Sequence, residues 1–182
     1  MTPQQFSSGL QLLKSELANI ALNAPFVQSQ EILGLSTRRI FNEGKASEGS
    51  QIGQYEDTKK QTFLTKKAKP SFNKRQLKSL EKTGEELTYK ELRKARGLQT
   101  DFVDLQFTGA LFENISSGKT SEGAVIGHRN AEEAKIAGYM TKKYGKPIFP
   151  PTEEEQARAK QLMRDYVVEK MKETIQNIFN AK

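Results

Sequence analysis

Residues 152–179 read TEEEQARAKQLMRDYVVEKMKETIQNIF, and this stretch decides the fold. Thr152 suits a helix N-cap, and Glu155, three residues on, completes a capping box. Glu153, Glu154 and Glu155 put negative charge at the positive end of the helix dipole. Leu162, Met163, Tyr166, Val167, Met171, Thr174, Ile175, Ile178 and Phe179 recur at the spacing of one helical face. The pattern predicts a helix of roughly 25 residues or more, about 40 Å long at 1.5 Å per residue.

Working outward, residues 146–151 (KPIFPP) are extended, because proline restricts both itself and its predecessor. Before them, residues 131–144 form a helix capped by Asn130 and ended by Gly145. Ile115 to Ser117 pair with Ala124 to Gly127 as a β-hairpin around a Ser/Gly-rich turn. The residues just before Asn114 read as strand or as helix. Residues 88–95 (TYKELRKA) carry a second capping box, Thr88 with Glu91, and Gly97 ends that helix. At the other end of the chain, Phe6, Leu10, Leu13, Leu17 and Ile20 are spaced 4, 3, 4, 3 and lie on one helical face. Thr2 and Pro3 suit its start. Pro25 is expected to break or kink the run, and a second helix with Val27, Ile32, Leu35, Ile40 and Phe41 to stop at Gly44. Arg38 and Arg39 end its polar face, where they favour the negative terminus.

The expected class is therefore α+β, with a small antiparallel hairpin packed between long N- and C-terminal helices. The 182 residues form one domain. Residues 1–43 are its N-terminal helices, 44–88 a basic extended insert, and 89–182 the α+β core with the long terminal helix. In the insert no period of 2 or 3.6 lasts more than about one turn.

Lys and Arg number 29, Asp and Glu 22. Of the net charge of +7, residues 59–78 contribute +8, leaving −1 for all the rest. The basic residues are Lys59, Lys60, Lys66, Lys67, Lys69, Lys74, Arg75 and Lys78, with no Asp or Glu between them. Aromatics are interleaved: Tyr55, Phe63 and Phe72. Lys and Arg neutralise phosphates without reading sequence. The segment reads as an arm that orders against a polyanion or a neighbouring subunit, or as a solvated excursion.

There is no Cys, which excludes disulfides and thiolate chemistry, and one His, which excludes any site needing two. His128, between a strand end and Arg129, reads as a surface-turn residue. Residues 116–120 (SSGKT) lack the first glycine of a phosphate loop. No catalytic, metal or cofactor-binding constellation is present, so none is expected. No apolar run of membrane-spanning length occurs, and the N-terminus has no basic-then-apolar leader pattern.

The middle of the chain nevertheless resembles a known family. Leu105-Gln106-Phe107-Thr108-Gly109-Ala110-Leu111-Phe112 is followed by a hairpin ending Val125-Ile126-Gly127. Then come an alanine-containing segment (Ala131, Ala134, Ala137, Gly138) and Tyr144-Gly145-Lys146-Pro147-Ile148-Phe149. Upstream lie residues 38–44 (RRIFNEG) and a Gly-x-x-Ile-Gly-x-Tyr turn in residues 49–55 (GSQIGQY). In this order the motifs resemble the tail-completion, or virion morphogenesis, proteins of tailed phages, in a variant like that of crAss-like phages. The usual Arg-Pro-Phe is Lys146-Pro147-Ile148-Phe149 here, and residues 59–78 have no counterpart in the family.

The resemblance implies a structural virion protein, not an enzyme. It implies a homo-oligomeric ring of six or twelve copies at the head–tail junction, assembled in the host cytoplasm. Its partners would be the portal or adaptor ring and tail proteins, with non-specific contact to genomic DNA and no membrane. Leu162, Tyr166, Met171, Ile175 and Phe179, together with the N-terminal face of Phe6, Leu10, Leu13, Leu17 and Ile20, become candidates for subunit packing, unless they pack within the chain. The eight basic residues become candidates for contact with DNA or acidic neighbours. The rival reading is a non-specific nucleic-acid-binding accessory protein.

Overall fold

A computed structural model describes residues 2–57, 88–121 and 123–179. The elements are α1 (Pro3–Thr37), a π-helical turn (Arg38–Asn42), α2 (Tyr89–Ala95), α3 (Ala110–Glu113), β1 (Ile115–Thr120), β2 (Gly123–His128), α4 (Ala131–Tyr144) and α5 (Glu153–Phe179). The chain is α+β: two long helices, a two-stranded antiparallel sheet and short helices between them.

α1 opens on a capping box in which the Thr2 hydroxyl accepts from the Gln5 N–H and the Gln5 side chain accepts from the Thr2 N–H. It then runs unbroken through Pro25, against the expectation of two helices. Proline removes one ladder hydrogen bond and crowds the carbonyl four residues back. Packing on both sides offsets that loss. Gly123 of β2 lies against the Pro25 ring. On the other side α5 runs antiparallel to α1, with Phe6 beside Phe179 at 6.1 Å between ring centres and Glu31 joined to Arg158 at 3.0 Å. Ile20 and Ala24 are the buried apolar residues of α1.

The wider π turn turns three successive side chains, Arg39, Ile40 and Phe41, inward. Arg39 thus leaves the polar face on which its spacing placed it; Arg38 stays in solvent. Gly44 ends the run in the left-handed region (φ 64°). A Cβ there would meet the Phe102 ring and stand 2.8 Å from the Val103 carbonyl.

The core joins this turn to loops on either side of it. Ile40, Phe41, Ala46, Ile52, Tyr55, Val103, Leu111, Ala137 and Ile148 form one buried cluster. Ala46, Ile52 and Tyr55 come from the stretch read as the start of an arm. Tyr55, grouped by sequence with Phe63 and Phe72, is a core residue. Its ring packs on Tyr89 at 5.4 Å.

The hairpin is longer than the sequence pattern indicated. β1 and β2 pair from Ile115↔His128 to Thr120↔Gly123, so residues 116–120 of the Ser/Gly run are strand. Along β2, Ala124, Ile126 and His128 are half-buried while Val125 and Gly127 are exposed. The buried side faces α1, where Lys119 bonds Asn23 and lies over the Phe26 ring. The ambiguous residues before Asn114 are helix, the single turn α3. α4 keeps its Asn130 cap, whose side chain accepts from the Glu133 N–H at 2.8 Å, and its Gly145 end.

Candidate interaction surface

Two buried ion pairs tie the loops to the ends of the helices. The first is Arg39 with Glu155. Arg39 Nε donates to Glu155 Oε1 at 2.7 Å, and both residues are under a tenth exposed. The remaining Arg39 donors reach the carbonyls of Lys45, Ile148 and Pro150. Glu155 Oε2 accepts from the Ser36 hydroxyl at 3.0 Å and the Thr152 N–H at 2.8 Å. One carboxylate therefore closes the capping box of α5 and ties it to α1 and to two loops.

The second pair is Arg93 with Asp104. Arg93 is fully buried and donates twice to Asp104, at 2.8 and 2.9 Å. It also donates to the carbonyls of Gln99 and Gln106 and stacks 4.2 Å over the Tyr55 ring. The Tyr55 hydroxyl donates to Asp104 Oδ1 at 2.7 Å. Burial, then the bond to Asp104, pushes the Tyr55 hydroxyl far above its ordinary range. These are structural fixtures: every strong donor is spent on a neighbour in the same chain.

His128 is not a surface-turn residue. It ends β2 half-buried, edge-on to Phe149 at 5.5 Å. Its Nδ1 is enclosed without a hydrogen-bond partner among the described residues. Burial lowers its pKa from the usual 6.5, with Glu133 opposing.

What remains open is surface. The residues expected to pack subunits lie along α5. Leu162, Met171 and Ile175 are exposed, and Val168, which the spacing did not single out, joins them. Tyr166 is half-buried against the rest of the chain, and Phe179 packs on Phe6. On α1, Phe6, Leu10, Leu12 and Leu22 are exposed. The stripe read from the sequence is thus divided: part of it forms the α1–α5 seam and part faces solvent.

Two depressions flank the helix pair. A cleft of about 830 Å³ opens where α1 meets the start of α5. Its cations already face carboxylates: Arg38 and Lys45 meet Glu43 at 3.4 and 3.1 Å, and Arg158 meets Glu31. A groove of about 480 Å³ lies between α1, α3 and β1, floored by Leu33, Gly34 and Ile115 and walled by Phe112. The exposed Phe112 packs one edge on Phe41, with ring centres 5.2 Å apart.

Lys59, Lys60, Lys66, Lys67, Lys69, Lys74, Arg75 and Lys78 lie outside the described residues. Among the described residues no three His, Asp or Glu side chains converge to hold a metal ion. No described helix is long and apolar enough to cross a membrane. No family model, curated protein or solved structure matches the chain.

Proposed function

We propose that the chain is a structural subunit of an oligomeric ring in the head–tail connector of a tailed phage, joining portal or adaptor to tail around the DNA channel. The observation that carries this reading is the α1–α5 pair. It stabilises the subunit along one seam and leaves Leu10, Leu12, Leu22, Val168, Met171 and Ile175 in solvent. Monomeric surfaces carry single exposed apolar residues as a matter of course; Val168, Met171 and Ile175, spaced three and four apart, share one exposed face of α5, which suits a protein–protein contact. The motifs that resemble the tail-completion family support the particular assembly. Ile40, Phe41, Ile52, Tyr55, Val103, Leu111 and Ile148, all drawn from those motifs or beside them, meet in the one core.

In this reading the mechanism is geometric. Copies close laterally, and the basic segment reaches DNA or an acidic neighbour. Mass spectrometry of purified particles is the test: the chain is expected at a fixed copy number per portal. Its absence from particles containing every other neck component contradicts the proposal. Duplex binding by the isolated chain decides what the basic segment meets. A DNA-facing segment gives a log–log salt slope of about −0.9 per phosphate neutralised, abolished when the eight residues become glutamine. No binding at low salt assigns the segment to protein.

A further inference from the structure

We infer that the groove between α1, α3 and β1 receives the free end of the α1–α5 pair from a second copy of this chain. The inference rests on the self-assembly reading and names the contact that would build the ring.

Gly34 lines the groove. That glycine sits inside α1, and nothing lies within 4 Å of where its Cβ would stand. Its φ is ordinary, so neither backbone nor crowding in this chain requires glycine there. A glycine inside a helix costs helix propensity. Phe112 stands at the groove edge 46% exposed. Aromatic side chains, Phe among them, are enriched at protein interfaces.

The complementary shape is at the other end of the same helix. Phe6, half of which stays in solvent beside Phe179, and the exposed Leu10 are four residues apart, hence on one face, and Lys14 continues that face. Glu113, which rims the groove, and Lys14 have no ion-pair partner among the described residues. An apolar knob with a trailing cation therefore matches an apolar groove with an acidic rim. Phe6 and Gly34 are 28 residues apart in one continuous helix, about 42 Å at 1.5 Å per residue. A subunit cannot seat its own knob in its own groove. A contact between two different patches is heterologous, and such contacts generate closed rings when the rotation permits.

The chain has no cysteine, so introduced thiols are the only ones present. Chains carrying Ser7→Cys, beside the knob, are mixed with chains carrying Gln30→Cys, on the groove wall, and treated with a short bis-maleimide. Seating raises the local thiol concentration, so the 7–30 product should exceed the 7–7 and 30–30 products about tenfold. Gly34→Trp, with its fold checked by melting, fills the groove and should abolish the 7–30 product. Lys14→Glu should lose it as well, and Lys14→Glu paired with Glu113→Lys should restore it. Predominant 7–7 or 30–30 products, indicating a two-fold contact, overturn the inference; so does a 7–30 yield that Gly34→Trp leaves unchanged. If light scattering shows oligomers without the 7–30 product, self-assembly stands and this contact falls. If the chain stays monomeric without it, the contact also falls, and the particle measurement alone judges the ring.

Discussion

Glu155 illustrates how much of this fold hangs on single side chains. It caps α5, neutralises Arg39 and accepts from Ser36 on α1. Removing one partner of a buried pair strands the other's charge. Glu155→Ala is therefore expected to lower the unfolding free energy by about 3–5 kcal/mol in urea titration. Replacing both Arg39 and Glu155 by methionine should recover much of that, because the stranded charge is gone. Gly44 is fixed by backbone as well as by space: a left-handed φ of 64° with the Val103 carbonyl closing in. Gly44→Ala should cost at least about 1–3 kcal/mol by the same assay. His128, the one histidine, titrates where no carboxylate or lysine ordinarily does. Its folded pKa is lowered, so the unfolded chain binds more protons in the window below pH 6.5. Stability is whole above that pH and falls as pH drops through the window. His128→Phe should flatten the dependence measured by melting between pH 7 and 5; an unchanged slope assigns it elsewhere.

At the scale of elements, α1 is the test of how tertiary packing overrides local preference. Pro25 forfeits a hydrogen bond inside a helix held straight through by α5 and the hairpin. Pro25→Ala restores the donor and should raise stability by about 1 kcal/mol or more, within the roughly 3 kcal/mol penalty of an interior proline. Destabilisation would mean that the proline itself shapes the seam. Helix starts were legible in the residues because caps are local: Thr88 with Glu91, Asn130 and Thr152 with Glu155 all form the bonds their spacing promised. The hairpin was legible in place but too short, since Gly118 and Lys119 look like turn residues until the opposite strand pairs with them. The π turn was not legible: its i→i+5 bond, from the Glu43 N–H to the Arg38 carbonyl, answers to no residue pattern, and the inward turn of Arg39, Ile40 and Phe41 is defined only by the assembled core. Nor were the buried ion pairs. Arg39 and Glu155 are 116 residues apart, and nothing local distinguishes them from solvated charges. The packing stripe on α5 was visible as a whole, whereas its division into seam and open face depends on where α1 lies.

At the scale of the whole molecule, two long helices frame a small core and present apolar residues to solvent. Arg39 and Arg93 tie the surrounding loops to that frame through carbonyls and carboxylates of the same chain. Reconstruction of the portal vertex by cryo-electron microscopy, on tailed-phage particles that carry this chain, tests the central claim most directly. The account predicts a closed ring of copies beneath the portal, α1–α5 pairs at the lateral contacts and residues 59–78 directed at the channel or at an adjoining ring. A neck built entirely of other chains, with this one absent from the vertex, contradicts it.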